Sequence, residues 1–330
     1  MAALRGKALV AYLVVCVVWG STYLAIRVGV GVLPPLLFAG ARFLAAGLLL
    51  LGGAVAFGAK LPRRARDWGI LSVVGLFLLA GGNSSVVWAE QFTPSGVASI
   101  FVVTVALWMA FFDAIIPGGP GRLSLRVIVG LVLGVVGTML LVGTSAREFL
   151  RADLRGPIAL TLASASWALG SVYYKRRHPD VSPYVGAAIQ MLAGGAAVAA
   201  LGLLTGEARA VHVTATGLEA LGYLIVFGSI LGYTAYAYAL RHASATAVGT
   251  YAYVNPVIAV LLGRILLREP IGPRTVAAMV LILCAVLWIQ FAHRPPAPEA
   301  EPAPQQAAPR TDASFAPRAP LDTGSTAAAD

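Results

Sequence analysis

Ten apolar stretches separated by short polar breaks occupy the first 292 residues, near 8–28, 34–57, 69–90, 94–116, 124–144, 156–175, 182–204, 217–240, 245–267 and 274–292. Most hold about 20 residues, the length a helix needs to cross roughly 30 Å of hydrocarbon at about 1.5 Å per residue. The runs are apolar on every side and lack the alternation of shorter segments that a membrane β-barrel requires. Lipid supplies no partners for open backbone groups, so the pattern predicts an all-α membrane protein with ten transmembrane helices. Breaks such as "AKLPRRARD" and "YKRRHPDVSP" leave no room for a soluble catalytic domain. From Pro295 the chain becomes "PPAPEAEPAPQQAAPRTDASFAPRAP", so 295–330 reads as a disordered Pro/Ala-rich tail.

Composition sharpens this picture. Hydrophobic residues make up 58% of the chain and charged residues only 12%, about half the share typical of soluble domains. The net charge of +10 is not a nucleic-acid footprint, because Lys and Arg lie in short clusters between apolar runs. With the N-terminus inside, Arg5, Lys7, Lys60, Arg63, Arg64, Arg66, Arg122, Arg126, Lys175, Arg176, Arg177 and Arg241 face the cytoplasm. Arg27, Arg147, Arg151, Arg155, Arg209, Arg264, Arg268 and Arg274 then face outward, and the excess inside predicts that both termini are cytoplasmic. Residues 1–28 begin like a signal peptide but read as a retained first span, since the run is long and another span follows it. Cys16 and Cys284 lie in apolar runs and read as small core residues.

Sliding the chain by about 150 residues lays one half over the other. "PPLLFAGARFLAAG" falls on "SPYVGAAIQMLAGG", pairing Pro35 with Pro183, Arg42 with Gln190 and Gly47 with Gly195. Trp19 falls on Trp167, Gly82 on Gly232, Asn83 on Tyr233 and Arg126 on Arg274. Two units follow, 8–144 (helices 1–5) and 156–292 (helices 6–10). Five helices is an odd number, so the second unit enters the membrane from the opposite side, the inverted-topology repeat of many secondary transporters.

The stretches "VVWGSTYLAIRVGV", "PPLLFAGARFLAAGLLL", "GNSSVVWAEQFTPSGVAS", "SASWALGSVYY", "YLIVFGSILGYTAYAYALR" and "YAYVNPVIAVLLG" resemble EamA-domain transporters of the drug/metabolite transporter superfamily, in their YedA-like branch. The resemblance covers about 8–292. It implies a ten-helix carrier in the plasma membrane (the bacterial inner membrane), with a central cavity and alternating access, exporting amino acids or other small metabolites or drugs. The first repeat departs from the family pattern: Ala106 stands where Pro256 falls in the second, and only the second repeat has "LREPIG", with Arg268 and Glu269.

Polar side chains inside spans are costly and usually face a cavity. Arg42, about 12 Å into helix 2, could neutralise a substrate carboxylate, or bond to backbone carbonyls, or snorkel. Glu90, at the end of helix 3, could bind an amine or carry a proton, or rest against the positive end of helix 4, where Thr93 or Ser95 could cap and Pro94 falls in the first turn. Asp113 reads as a partner for nearby arginines. The remaining substrate-cavity candidates are Trp19, Ser21, Tyr23, Asn83, Trp88, Trp167, Ser171, Tyr233, Tyr251 and Asn255, as an aromatic wall with a few fixed polar groups suits a small molecule. Single serines could equally join helices. Pro256 removes the donor that the Ala252 carbonyl would use, so a hinge is expected there.

No zinc-protease, hydrolase or nucleotide-binding motif appears, so the sequence points to no enzyme, cofactor or metal. The reading is a secondary active transporter for a small molecule in the lipid bilayer, coupled to a proton or another ion. A membrane-embedded scaffold, a channel, or an enzyme without a recognisable motif are the alternatives.

Overall fold

The computed structural model describes residues 6–117, 125–142, 153–177, 179–242 and 251–292. The expected disordered tail, 295–330, lies outside the described residues, as do the side chains of Ala106, Asp113 and Arg126. Helices α1 (Lys7–Val30) and α2 (Pro35–Ala56) come first. Then α3 (Ala65–Gly75) runs through a π-helical segment, Leu76–Asn83, into α4 (Ser84–Ala89). Helices α5 (Ser95–Val103), α6 (Val105–Ile115) and α7 (Leu125–Val142) complete the first half.

The second half follows. It holds α8 (Arg155–Arg177), α9 (Pro183–Leu204), α10 (Ala215–Tyr223), a second π-helical segment at Leu224–Leu231, α11 (Gly232–His242), α12 (Tyr251–Leu266) and α13 (Pro273–Ala292). Helix is therefore present at all ten predicted positions among the described residues.

Local chemistry fixes these ends. Pro35 and Pro183 open α2 and α9 at the first helical position, where a missing N–H costs nothing. Gly58 and Gly206 follow the same two helices at φ 82° and 81°, the left-handed turn that glycine adopts without a Cβ penalty. The prolines, the glycines and the starts of the π-helical segments are each 148 residues apart.

Among the described residues, five helices are long and apolar enough to cross a membrane: Lys7–Val30, Pro35–Ala56, Ala65–Ala89, Pro183–Leu204 and Ala215–Tyr236. Shorter apolar helices cover Ser95–Met109, Ile128–Gly137, Val254–Leu266 and Pro273–Ala285. The expected span at 156–175 forms a 23-residue helix, α8, but is not among the five. Its serines, Trp167, Tyr173, Tyr174 and the terminal Lys175, Arg176 and Arg177 dilute its apolar character.

Helix α2 lies along α9, and α7 along α13; α1 rests on α11 and α12, while α8 rests on the first π-helical segment, α4 and α6. Large apolar side chains such as Leu48, Leu49, Val132, Leu204 and Ile265 point outward, the surface expected of a chain solvated by lipid. Inside, small residues let backbones touch. A Cβ on Gly75 would stand 2.3 Å from the Gln190 carbonyl oxygen, and one on Gly40 2.8 Å from the Ala199 backbone nitrogen. Gly53 has nothing within 4 Å. Gly75→Ala should therefore destabilise the protein by about 1–3 kcal/mol, while Gly53→Ala should be neutral or gain up to about 1 kcal/mol. Thermal unfolding of the two variants in detergent reads the contrast.

Candidate functional site

A cavity of about 110 Å³ opens between the two halves of the bundle, a volume on the scale of a small metabolite. Helix α1 contributes Trp19, Thr22, Tyr23 and Ile26; α2 contributes Arg42 and Phe43; and the first π-helical segment and α4 contribute Gly82, Asn83 and Val86. Ser99, Val102, Val103 and Val105 come from α5 and the start of α6, and Ala163, Ser164 and Trp167 from α8. Gly228, Tyr233, Tyr251, Ala252 and Asn255 close the wall. The polar groups are few and the aromatics many, as in most small-molecule sites.

The π-helical segments shape this wall. Widening the backbone turn displaces the carbonyl ladder, and side chains from the opposite half reach the displaced region. Ser166 Oγ donates to the Phe77 carbonyl at 2.7 Å, and Trp19 Nε1 to the Gly228 carbonyl at 3.1 Å. Glycine lets both indoles lie close: a Cβ on Gly232 would clash at 2.3 Å from Trp19 Nε1, and one on Gly82 would stand a tight 3.2 Å from Trp167 Cε3. Trp19 is also clasped edge-on by Tyr251 and Tyr233, with ring centroids 4.9 and 5.5 Å away.

Among the described residues Arg42 is the only charged side chain in the wall, and it is 3% exposed. Its Nε donates to Ser229 Oγ at 3.0 Å and its Nη1 to Asn83 Oδ1 at 3.4 Å. Both partners are neutral; Arg155, by contrast, is paired with Asp153 on the exposed rim. The cation is thus oriented by hydrogen bonds, and among the described residues no carboxylate pairs with it. Ser229 was not singled out from the sequence, where a serine in an apolar run has no signal of its own.

Asn255 turns back from α12 toward α1. In the amide orientation that suits its neighbours, Nδ2 donates to Cys16 O at 3.2 Å and Tyr251 O at 3.1 Å. Pro256 lies inside α12, four residues after the cavity-lining Ala252.

Of the sequence candidates, Trp19, Tyr23, Arg42, Asn83, Trp167, Tyr233, Tyr251 and Asn255 meet at this cavity. Four do not line it. Ser21 bonds to Tyr223 Oη at 2.6 Å and to the Val18 carbonyl, joining helices. Ser171 donates to the Trp167 carbonyl one turn back. Trp88 stacks edge-on with Phe92. Glu90 is buried beyond the cavity, toward the end of the bundle where α1 finishes.

The expected capping at α5 is also corrected. Ser95 is the first helical residue and Pro94 precedes the helix without a side-chain cap. The cap comes from Glu269, whose carboxylate accepts from Ser95 N and Oγ, both at 2.9 Å, and from Gly96 N at 3.2 Å. Glu207 does the same for α2, accepting from Leu36 N and Leu37 N at 3.3 and 2.8 Å. Both carboxylates come from the second half and satisfy first-turn donors of the first.

A helical bundle with lipid-facing flanks and an interior cavity defines a multi-pass membrane protein. The profile of the EamA-like transporter family matches residues 6–143 and again 154–291, and the chain belongs to this family. It is 39% identical over 274 residues to the "Uncharacterized inner membrane transporter YedA" of Escherichia coli, covering 83% of this chain and 87% of the relative. The "Probable amino-acid metabolite efflux pump" of Salmonella typhimurium is 28% identical over 296 residues, 86% of this chain and 94% of that protein. A crystal structure at 22% identity shares the fold with a TM-score of 0.61, over 88% of this chain and all of the other.

Proposed function

We propose that the protein is a secondary active transporter that exports an amino acid or another small carboxylate-bearing metabolite across the plasma membrane by alternating access. The observation that carries this reading is Arg42, a buried cation in a cavity wall whose only hydrogen-bond partners are neutral. Guanidinium stays charged in proteins, and a buried unpaired charge is costly, so the cavity is prepared for an anionic group. The aromatic wall of Trp19, Trp167, Tyr233 and Tyr251 suits the apolar part of the same molecule. Efflux by the Salmonella relative, as its name describes it, supports both the substrate class and the direction.

In this reading the ten helical positions are ten crossings, arranged as two inverted five-helix repeats with both termini in the cytoplasm. The 148-residue spacing, the matched π-helical segments and the cross-braced tryptophans support it. Alternating access is then a rocking of one repeat against the other around the cavity. Cells lacking the protein should accumulate at least one carboxylate-bearing metabolite, and cells overproducing it should lose the same compound. Accumulation on overproduction would reverse the direction, and an unchanged metabolite profile in both strains would count against a carrier.

A further inference from the structure

Past the cavity lies a carboxyl group that the rest of the fold leaves unused. Glu90 follows α4, is 0% exposed, and neither of its carboxyl oxygens has a hydrogen-bond partner. Its main-chain oxygen is engaged instead, accepting from the Arg27 guanidinium. A cap role is closed to its side chain, because Glu269 occupies the first-turn donors of α5. Tyr23 and Arg27 face Glu90 from α1, and Glu269 from the segment after α12. At the start of α8, Arg155 covers the Phe92 ring and pairs with Asp153.

An ionised carboxylate without donors is unfavourable in a buried site, and the Glu269 carboxylate nearby adds a repulsion that the Arg27 guanidinium offsets only in part. Such groups neutralise. Arg27 is engaged with the main-chain oxygen and not with the carboxyl group, and no group of three or more His, Cys, Asp or Glu among the described residues could hold a metal ion, so the carboxyl group is neutralised by a proton. Val86, Ala89, Ala98, Phe101 and Leu160 pack into an apolar seal at this end, and Thr93 fits directly against Gly156. Tyr23 belongs to the seal and to the cavity wall alike.

We propose that Glu90 is a proton-binding site that follows the opening of this end of the carrier. While the end is sealed the group is the neutral acid; when water enters, the O–H bond breaks, the proton passes to solvent and the carboxylate is hydrated. No electron moves, and resealing takes up one proton. The inference deepens the carrier reading and rests on it for the opening motion, whereas the proton on Glu90 does not depend on transport.

Infrared spectra of the full chain in neutral-lipid vesicles test the site directly. As the medium is taken from neutral to alkaline pH, a range in which exposed carboxylates are already ionised, a protonated-carboxyl band should vanish from the wild type and be missing throughout from E90Q. The same titrating band in E90Q would overturn the proposal. If E90Q does not fold, E90D should move the band and its midpoint, and an unmoved band is the contrary result. Maleimide labelling of a T93C variant reads the motion: alkalinisation should speed labelling by about tenfold more than in T93C/E90Q, where thiol chemistry alone acts. Identical pH profiles would refute the link to opening. A titrating Glu90 in a protein that moves no solute would uphold the proton site and remove the carrier reading.

Discussion

Arg42→Ala should lower kcat/KM for saturable transport by roughly 10-fold to 150-fold while leaving the protein folded and at least as stable as the wild type. The two halves of that expectation have one cause. Arg42 is buried against Ser229 and Asn83 with no carboxylate partner, so deleting it removes a desolvated charge from the resting protein along with two hydrogen bonds to neutral groups. Hydrogen bonds involving a charge contribute about 1.5–3 kcal/mol, so the loss of one contact to the substrate should cost roughly 10-fold to 150-fold in kcat/KM. Arg42→Lys should recover part of the loss, since it keeps the charge but lacks the fork that holds Ser229 and Asn83 together. A purely structural arginine would give the opposite pattern: a lower unfolding temperature with transport per folded molecule unchanged.

Glu269→Ala should produce the largest loss of stability among single polar substitutions at the sealed end. Its carboxylate satisfies two backbone donors and the hydroxyl at the start of α5, and loss of a cap alone costs about 0.5–2 kcal/mol. Here the cap also ties the segment after α12 to α5, so about 2–3 kcal/mol is expected. The backbone is committed to this tie: Arg268 takes a left-handed φ of 56°, which turns Glu269 back over Gly263, and a non-glycine residue holds that conformation at a cost of about 1–2 kcal/mol. Thermal unfolding of Glu269→Ala and of Ser95→Ala separates the contributions, because the latter removes only the hydroxyl. A Glu269→Ala protein as stable as the wild type would mean that solvent caps α5 equally well.

The sequence made the helices legible and hid what joins them. Continuous apolar runs and the prolines at 35 and 183 mark helices directly, because lipid and proline each restrict the backbone in one way. Eight of the twelve cavity candidates were within reach for a similar reason: a buried Arg, Asn or Trp in a span is expensive unless it meets something. The π-helical segments left no such mark. Their wider turns change no residue type, and only Gly82 and Gly232 beneath the tryptophans hint at them. The caps from Glu207 and Glu269 were hidden because each acts on donors about 170 residues away. Thr93 and Ser95 looked like the local solution and are not used as caps. Ser21 and Ser171 were candidates as polar groups inside spans, and their hydroxyls are spent on contacts between or within helices, the alternative open to any single serine.

Counterflow in vesicles containing only the purified protein addresses the central claim most directly. Loaded with one carboxylate-bearing metabolite after another, wild-type vesicles should exchange at least one of them at a rate that saturates with concentration, and vesicles carrying Arg42→Ala should exchange it at least about tenfold less efficiently. Flux that rises without saturation, or saturable exchange of the same solute at the wild-type rate without Arg42, would contradict the account.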